Sequence, residues 1–586
     1  MRYIKIIGAF MVIIMLASCR KTFLDRSPES IISDAEYWHS TNDLKLYTNS
    51  FYTIFPSYTG YGTIGIYGLD ADNGSDNMIT MSYNTWMNGE LTPAGAGGWS
   101  WGTLRNINYF LANYSRVNDT WGNVKPYVGE ALFFRTYFYF NMLKSFGDLP
   151  WVNRPLGLTD SSALYSKRLS RKTIVDSMMA NLDSAASYLP TKGSAQAGRV
   201  YKELVQAFQS RVALYEGTWE KYHAGDPFGV QGSDGSALLQ KAATAAQAVM
   251  SSGIFRLTNI ATGSSSGYWS LFNQTDYSGN AEIMFWRQYS VPLGITHNWH
   301  RYTYIGAGRG LTKNLVDDYL CTDGQPISVS PLYQGDDSLT TVVRNRDPRL
   351  NQTIYVNDGA HVMTNNLPGG APNKYFAVPS FTEATENKPA TGYQVYKGNN
   401  PDYNQQYAGN VGTTGLILFR YAEVLLNFAE AKAELGTLTQ SDADNSINLL
   451  RDRVGMPHLN IATITTDPKW VFPLLSPLIN EVRRERRVEL ACEGFRTDDI
   501  MRWAAAGQLI TGWKPKGAKL KQWQTVVAST YLNTYPTDNN GYIELFQKIG
   551  AMSSGYKFNT QRDYLRPIPL SELQVPGNQI TQNPGW

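Results

Sequence analysis

Residues 129–152, GEALFFRTYFYFNMLKSFGDLPWV, form the densest apolar helix pattern in the chain. Apolar side chains surround the predicted helix axis almost completely, and a helix of that kind is buried by other helices. The polar positions that interrupt it are Glu130, Arg135, Thr136, Asn141, Lys144 and Ser145. Gly147 can adopt the left-handed conformation that stops a helix, and Pro150 forbids continuation. The stretch therefore predicts a central helix in an all-α core.

Further helices are predicted on both sides of this segment, from apolar residues spaced three and four positions apart. They cover residues 35–52, with Ser33-Asp34 as the cap, and residues 99–117, 171–189, 202–223, 238–250, 418–436 and 442–453. In the block 479–505 one helix ends at Gly494, and Thr497-Asp498-Asp499 can cap the next one. Helix pairs joined by short turns suggest a tetratricopeptide-like superhelix, although no strict sequence repeat is visible.

The segment 479–505 interleaves arginines with carboxylates. Glu485, Glu489 and Glu493 follow one another at one-turn spacing, and four arginines lie among them at positions 483, 484, 486 and 487. A basic surface patch is one interpretation. The alternation of charges instead favours an ion-pair network that holds helices together.

Two regions, residues 55–98 and 251–412, lack helical periodicity and are rich in polar loop residues. Short strand-like runs such as residues 281–286 (AEIMFW) alternate there with long loops. Binding residues are often found on ordered loops held by a rigid scaffold. We therefore expect a mainly α protein with a loop-rich, mixed subdomain that carries the ligand surface.

The first 18 residues have the features of a secretory signal. Arg2 and Lys5 precede a short apolar run, and Leu16-Ala17-Ser18 is a small-residue cleavage site. The apolar run is too short to span a bilayer. Cys19 follows directly, as in the lipobox of bacterial lipoproteins, so we predict acylation of Cys19; the alternative is an ordinary signal with a chance cysteine. Several acyl chains would make a stable membrane anchor.

Composition limits the kind of partner. Aromatic residues make up 13% of the chain and charged residues only 17%, which indicates a surface suited to polar, uncharged ligands. Without the signal segment the chain has 50 basic and 49 acidic residues. Nucleic acid is therefore not an expected partner, because phosphate binding needs a concentrated basic face. Cys321 and Cys492 lack metal-ligand spacing and are predicted to be structural.

No catalytic or metal-binding motif stands out. His297 and His300 form an HxxH pair without the glutamate or third ligand that a zinc site needs. Residues 70–77 (DADNGSDN) resemble a calcium loop, but Gly74 would occupy a ligand position of the EF-hand template. The alternative is a glycosidase, which would need a pair of carboxylates at catalytic separation. Most recognisable carboxylates lie beside arginines, so we expect a binding protein without cofactor or metal.

The loops instead combine aromatic residues with amides and carboxylates. A sugar ring stacks its C–H face on Trp or Tyr, and its hydroxyls need planar donors and acceptors. Two candidate ligand clusters fit this pattern: Asp76, Asn77, Trp86 and Trp99 in the first, and Trp286, Tyr289, Trp299, His300, Arg301, Tyr302 and Tyr304 in the second. The alternative for each aromatic is that it only packs its own loop, which is our interpretation of Trp101.

Several segments together resemble the SusD/RagB family of surface nutrient-binding lipoproteins. They are the Phe-Leu-Asp run at 23–25, the 129–152 helix, residues 310–327, the helix near Arg420, the block around Glu481 and the tail 564–586. The resemblance implies about four tetratricopeptide-like helix pairs, a lipid anchor in the outer membrane, exposure on the cell surface, and a ligand surface made by loops of the two aromatic regions. It also implies a SusC-like TonB-dependent transporter as partner, on which the protein sits as a lid.

We thus expect a signal peptide (1–18), an N-terminal SusD-like helical region (19–250) and a C-terminal SusD/RagB region (251–586). The predicted function is capture of an oligomeric nutrient and its delivery to the transporter. The first choice of ligand is a glycan, either an oligosaccharide or a polysaccharide. Three alternatives stay open: a peptide-capturing RagB-like protein, a structural lid without its own ligand, and a surface hydrolase.

Overall fold

The computed structural model describes residues 37–58, 72–157, 159–258, 267–368, 374–375, 389–525, 527, 529–533 and 535–586. Its α-helices are α1 (Thr41–Asn49), α2 (Gly102–Asn113), α3 (Trp121–Phe146), α4 (Ser161–Leu164), α5 (Arg171–Tyr188), α6 (Lys202–Tyr222), α7 (Ser236–Ser251), α8 (Gly267–Ser270), α9 (Trp299–Ile305), α10 (Lys313–Asp318), α11 (Leu339–Val343), α12 (Pro348–Thr353), α13 (Tyr421–Glu434), α14 (Gln440–Asp444), α15 (Ile447–Val454), α16 (Pro477–Glu489), α17 (Arg496–Arg502), α18 (Ala506–Leu509), α19 (Ser529–Leu532) and α20 (Leu570–Leu573). The strands are β1 (Met78–Thr80), β2 (Ile283–Arg287), β3 (Arg309–Leu311), β4 (Val362–Thr364), β5 (Lys374–Tyr375) and β6 (Leu416–Arg420).

Helix α3 contains most of the segment 129–152 and lies in the centre of the main core, as predicted. Phe133, Phe134 and Tyr139 on it are completely buried. The helix begins at Trp121, eight residues before the quoted stretch, and continues through Pro126. It ends at Gly147, whose φ is 71° and whose N–H donates to the Leu143 carbonyl at 2.9 Å. A residue with a side chain would be strained in that conformation.

The long helices pack in a continuous series. Helices α1 and α2 pack on α3, α3 packs on α5, α5 on α6, α6 on α7, α7 on α13, and α13 on α16. One large hydrophobic core runs through this series. The mainly α architecture predicted from the sequence is therefore confirmed.

Several element boundaries differ from the predictions. Helix α1 begins at Thr41 and not at residue 35, because Ser40 and Asp43 form a capping box; the predicted cap, Ser33-Asp34, lies outside the described residues. The helix predicted from residue 418 begins at Tyr421, because the preceding five residues form strand β6. The domain boundary predicted between residues 250 and 251 stays a prediction. Helix α7 ends close to it, at Ser251.

In its described residues the loop-rich subdomain contains three two-stranded sheets, β1–β3, β2–β6 and β4–β5, all antiparallel. It has a second hydrophobic core, built largely from tyrosines and aliphatic residues of these loops. Cys321 and Cys492 are both fully buried in the structure. The subdomain thus packs as a solid unit beside the helices, with strand β6 leading directly into α13.

The ion-pair network predicted for residues 479–505 is confirmed. Arg349 on α12 donates to Glu485 at 2.6 Å and to Glu489 at 3.0 Å, both on α16. Arg420, at the end of β6, donates to Glu489 at 2.7 Å and to Glu493 at 2.6 Å. These side chains are nearly inaccessible to solvent. The network therefore joins the helical series to the loop-rich subdomain from inside.

Among the helices that the structure describes, none is both long enough and apolar enough to cross a membrane.

Candidate functional site

A cavity of about 960 Å³ lies where the helical series meets strand β6. Its walls are the C-terminal half of α3, the middle of α6, strand β6, the start of α17, and the segments 53–58 and 84–87. Its volume is at the upper end of the range of about 300–1,000 Å³ that is usual for ligand sites. We call it the central cavity.

Helix α3 supplies one wall through Tyr137, Asn141, Lys144 and Ser145. These residues are four, three and one positions apart, so they lie on one face of the helix. Asn141 is exposed, and the other three are half-buried. The otherwise apolar helix therefore presents a single polar stripe with a tyrosine ring at its end.

A second wall comes from the start of α17. Phe495 and Thr497 are half-buried there, and Asp498 accepts a 2.7 Å hydrogen bond from Lys144 Nζ. Trp86 forms part of the third wall. Its Nε1–H donates to the Asp563 carbonyl at 2.8 Å, and the Arg566 guanidinium lies 5.0 Å from its ring centre. Tyr137, Phe495 and Trp86 thus border the same space.

The charged groups deeper in the cavity are paired with each other. Arg211 makes two 2.6 Å hydrogen bonds to Glu423, and its guanidinium lies 4.1 Å from the Phe419 ring centre. Burial alone would lower the pKa of Arg211, but the Glu423 carboxylate outweighs it and raises the pKa. Arg420 is likewise held by Glu493, at 2.6 and 2.7 Å. The cavity therefore offers neutral polar groups and aromatic rings more than unpaired charge.

Of the first predicted cluster, Trp86 and Trp99 lie at two different places. Trp86 borders the central cavity, and Trp99 borders a separate groove of about 350 Å³. Trp101, interpreted from sequence as a packing residue, lines the same groove as Trp99. The two tryptophans that the sequence placed in one ligand cluster therefore border separate surfaces, and their role in ligand binding stays a prediction.

Asp76 and Asn77 have a different role from the one predicted. Asp76 is fully buried, accepting hydrogen bonds from Arg496 Nε at 2.6 Å and from Arg487 Nη2 at 2.9 Å. Burial opposes ionisation, but these two guanidinium groups outweigh it and lower the pKa of Asp76. Asn77 accepts from Arg487 Nε at 2.8 Å and donates to Asp72 at 2.8 Å. Their polar atoms are used inside the protein, so we exclude both from the candidate site.

The second predicted cluster comes together, but mainly as packing. Trp299 stacks on Tyr58 with ring centres 5.7 Å apart, and Tyr289 Oη accepts the Tyr58 N–H at 2.7 Å. The residues of the cluster that are buried are Tyr289, Trp299, His300 and Tyr302, whereas Trp286, Arg301 and Tyr304 are half-buried. None of the seven lines the central cavity or the groove in the part of the chain that the structure describes. The structure thus favours the packing interpretation for this cluster.

The HxxH pair is also engaged inside the protein. His297 Nε2 bonds to the Thr414 carbonyl at 2.9 Å, and His297 Nδ1 accepts the Trp299 N–H at 3.1 Å. Burial lowers the pKa of His297 to about 4 and holds the pKa of His300 well below its ordinary value. Among the described residues no group of three His, Cys, Asp or Glu side chains is arranged to hold a metal ion.

The cavity residues that sequence reasoning missed are Asn84, Tyr137, Asn141, Lys144, Ser145, Phe495, Thr497 and Arg566. One signal was available in the sequence. Asn141, Lys144 and Ser145 interrupt an otherwise apolar helix with the spacing of a single face, which indicates a face that does not pack against other helices. No comparable pattern marks Phe495 or Arg566, which reach the cavity only through the tertiary fold.

Two protein-family models match parts of this chain. A family model described as the SusD family matches residues 269–586, and a second, described as starch-binding and associating with the outer membrane, matches residues 22–214. The SusD-like protein P2 of Formosa agariphila is 22% identical over an alignment 599 positions long, which covers 98% of each chain.

Solved structures give the same result. A SusD-like protein from Bacteroides fragilis is 23% identical, with a TM-score of 0.69 over 96% of this chain and 100% of that one. A SusD-like carbohydrate binding protein from the same species is 24% identical, with a TM-score of 0.68 over 93% of this chain and 100% of the other. These likenesses establish the fold, and the first family model covers more than half of the sequence. The chain belongs to the SusD family.

Proposed function

We propose that the protein binds a neutral oligosaccharide in the central cavity and presents it for uptake at the cell surface. The observation that carries the proposal is the composition of the cavity wall. Tyr137, Phe495 and Trp86 border a space that also contains the amides of Asn84 and Asn141. Aromatic faces with a few planar polar groups are what a sugar ring requires.

The charge arrangement supports a neutral ligand. The three carboxylates in the described cavity wall belong to Glu423, Glu493 and Asp498, and each accepts a hydrogen bond from an arginine or lysine. These pairs leave little unpaired charge in the wall for a charged ligand, and a neutral hydroxyl-rich ligand leaves them intact. Because an arginine or a lysine holds each of these carboxylates, we assign them a structural role and not the acid and nucleophile roles of a glycosidase. The proposed action is therefore binding without catalysis.

The proposed location is the outer membrane, with the chain anchored through a lipid on Cys19. Cys19 lies outside the described residues, so this part rests on the lipobox-like sequence and on the outer-membrane association in the description of the matching family model. The proposed partner is a SusC-like TonB-dependent transporter that receives the oligosaccharide. Tethering beside a transporter raises the effective ligand concentration there, so a modest intrinsic affinity is sufficient.

Calorimetric titration tests the proposal. The protein from Arg20 onward is titrated with neutral malto-, laminari-, xylo- and manno-oligosaccharides and with mixed peptides. The Trp86→Ala variant is compared with Trp121→Ala, because Trp121 is an exposed tryptophan at the start of α3, away from the cavity. Saturable oligosaccharide binding that Trp86→Ala weakens and Trp121→Ala preserves supports the proposal. Binding of peptides alone would instead favour a RagB-like peptide-capturing protein. Association with the transporter without binding of any ligand would favour a structural lid.

A further inference from the structure

The loop of residues 72–77, within the stretch that resembles a calcium loop, holds the turn between α16 and α17. Asp72 in this loop is completely buried. Its Oδ2 accepts the Cys492 N–H at 2.8 Å, and its Oδ1 accepts the Gly494 N–H at 3.0 Å. One carboxylate thus satisfies two backbone donors of the turn, although it lies 420 positions before Cys492 in the chain.

The backbone of this turn is strained. Cys492 has a φ of 65°, in the left-handed region that non-glycine residues rarely adopt, and Gly494 has a φ of 84°. A non-glycine residue keeps that conformation only when its surroundings hold it there. A buried N–H without a partner also costs free energy, and Cys492 is buried. Asp72 therefore stabilises the turn in this conformation.

The turn forms part of the central cavity wall. Residues 493–495 all line the cavity, and so do residues 73–74, which follow Asp72 directly. Phe495 is one of the aromatic rings to which the proposed function assigns the sugar. Because Phe495 comes directly after the turn, a rotation of the backbone within the turn displaces its ring.

Other contacts hold the two helices on either side of the turn. Asp76, in the same loop, accepts hydrogen bonds from Arg487 on α16 at 2.9 Å and from Arg496 on α17 at 2.6 Å. These two ion pairs join both helices to the loop without involving Asp72. We therefore expect the helices to stay in place when Asp72 is changed, so that only the turn between them is released.

We propose that Asp72 is a positioning residue of the central cavity, which sets the place of Phe495 through the turn from Cys492 to Gly494. The inference rests on the proposed function, because it requires that Phe495 contacts the oligosaccharide. Asp72 is not among the described residues that line the cavity, so it acts on the ligand only through the turn.

The substitution Asp72→Asn tests the inference. The new side chain keeps the shape, but its NH₂ end cannot accept a hydrogen bond, so one N–H of the turn loses its partner. Calorimetry with maltohexaose, laminarihexaose, xylohexaose and mannohexaose compares the variant with the wild-type protein. We expect the tightest-binding hexaose to bind about tenfold more weakly. Hydrogen exchange in peptides spanning residues 490–496 should become about tenfold faster, while α16 and α17 stay protected.

A control and a rescue variant accompany it. Asp358→Asn is the control, because Asp358 accepts the N–H groups of Ala360 and His361 and is not among the described cavity residues. It should leave the affinity for the hexaose unchanged. Cys492→Gly is the rescue, since glycine adopts a φ of 65° without strain. Added to Asp72→Asn, it should improve the weakened affinity about threefold.

The outcomes separate this inference from the proposed function. If the wild-type protein binds none of the four hexaoses, the proposed function fails and the inference falls with it. If the wild-type protein binds one and Asp72→Asn binds it equally well, the inference alone is overturned. A weaker affinity without faster exchange at residues 490–496, or one that Cys492→Gly does not improve, also overturns it. So does a circular dichroism spectrum showing that Asp72→Asn does not fold, because Asp72 would then hold the whole fold and not the turn.

Discussion

Glu430 on α13 provides a sharp test of how the buried ion pairs stabilise the fold. Its Oε1 and Oε2 accept hydrogen bonds from Arg502 at 2.6 and 2.7 Å, and Oε1 also accepts from Trp503 Nε1 at 2.8 Å. Burial alone would raise its pKa, but the guanidinium groups of Arg502 and Arg486 outweigh burial and lower the pKa of Glu430 to about 2, from an ordinary 4.5. The substitution Glu430→Gln keeps the shape and removes the charge.

The magnitude follows from the pKa difference. The difference between the ordinary pKa and the pKa of about 2 in the fold corresponds to about 3 kcal/mol of stabilisation by the ionised carboxylate. Because the folded-state pKa is the lower one, this stabilisation is fully present above pH 4.5 and is lost as the pH falls towards 2. We therefore expect Glu430→Gln to lower the free energy of unfolding by about 3 kcal/mol at pH 7 and by progressively less towards pH 2.

Urea unfolding followed by circular dichroism at pH 7, 4.5 and 3 measures this effect. The control is Asp176→Asn, which breaks a 2.8 Å pair with Lys172 on the exposed face of α5. An exposed pair contributes little, so the control should change the free energy of unfolding by less than about 0.5 kcal/mol at every pH. A Glu430→Gln effect equal to that of the control, or one that does not change between pH 7 and pH 3, would refute the reasoning.

Three further predictions concern the core and the cavity. Gly147→Ala should lower the free energy of unfolding, measured with urea, by about 2 kcal/mol. The φ of Gly147 is 71°, and the new Cβ would lie 2.6 Å from Leu565 Cδ1. Gly193→Ala is its control, since a Cβ there meets nothing within 4 Å, and an equal loss in both would contradict the argument. Phe133→Ala should lower the free energy of unfolding by about 3–5 kcal/mol, since this ring is completely buried; a loss below 1 kcal/mol would show that α3 is not central. Tyr137→Ala should weaken oligosaccharide binding about tenfold in calorimetry, while Tyr137→Phe preserves it, because the ring face makes the contact; equal losses would instead assign the contact to the hydroxyl.

The sequence predicted the helices well because their signals are local. The apolar pattern of residues 129–152 and the stop at Gly147 depend only on neighbours along the chain, and both are present in α3. The alternating charges of residues 479–505 also predicted a buried network correctly. The start of α1 was missed because two capping sequences compete there, and the capping box of Ser40 and Asp43 forms in the structure.

The site was predicted less well because a tryptophan in a loop has the same local sequence whether it packs or binds. Trp299 is covered by Tyr58, which is 241 positions earlier in the chain, and Asp76 is neutralised by arginines more than 400 positions later. Such partners cannot be read from local spacing. The polar stripe of α3 was a local sign of the cavity, but the same stripe would occur on a face that packs against polar groups, as Lys144 does against Asp498.

The most direct test of the central claim is a crystal structure of the protein with the tightest-binding oligosaccharide from the calorimetric panel. We predict sugar density in the central cavity, with one ring against Tyr137 or Phe495 and a hydroxyl within hydrogen-bond distance of Asn141. Sugar density against the loops around Trp286 and Arg301, with the central cavity empty, would contradict the account and restore the second aromatic cluster as the ligand surface.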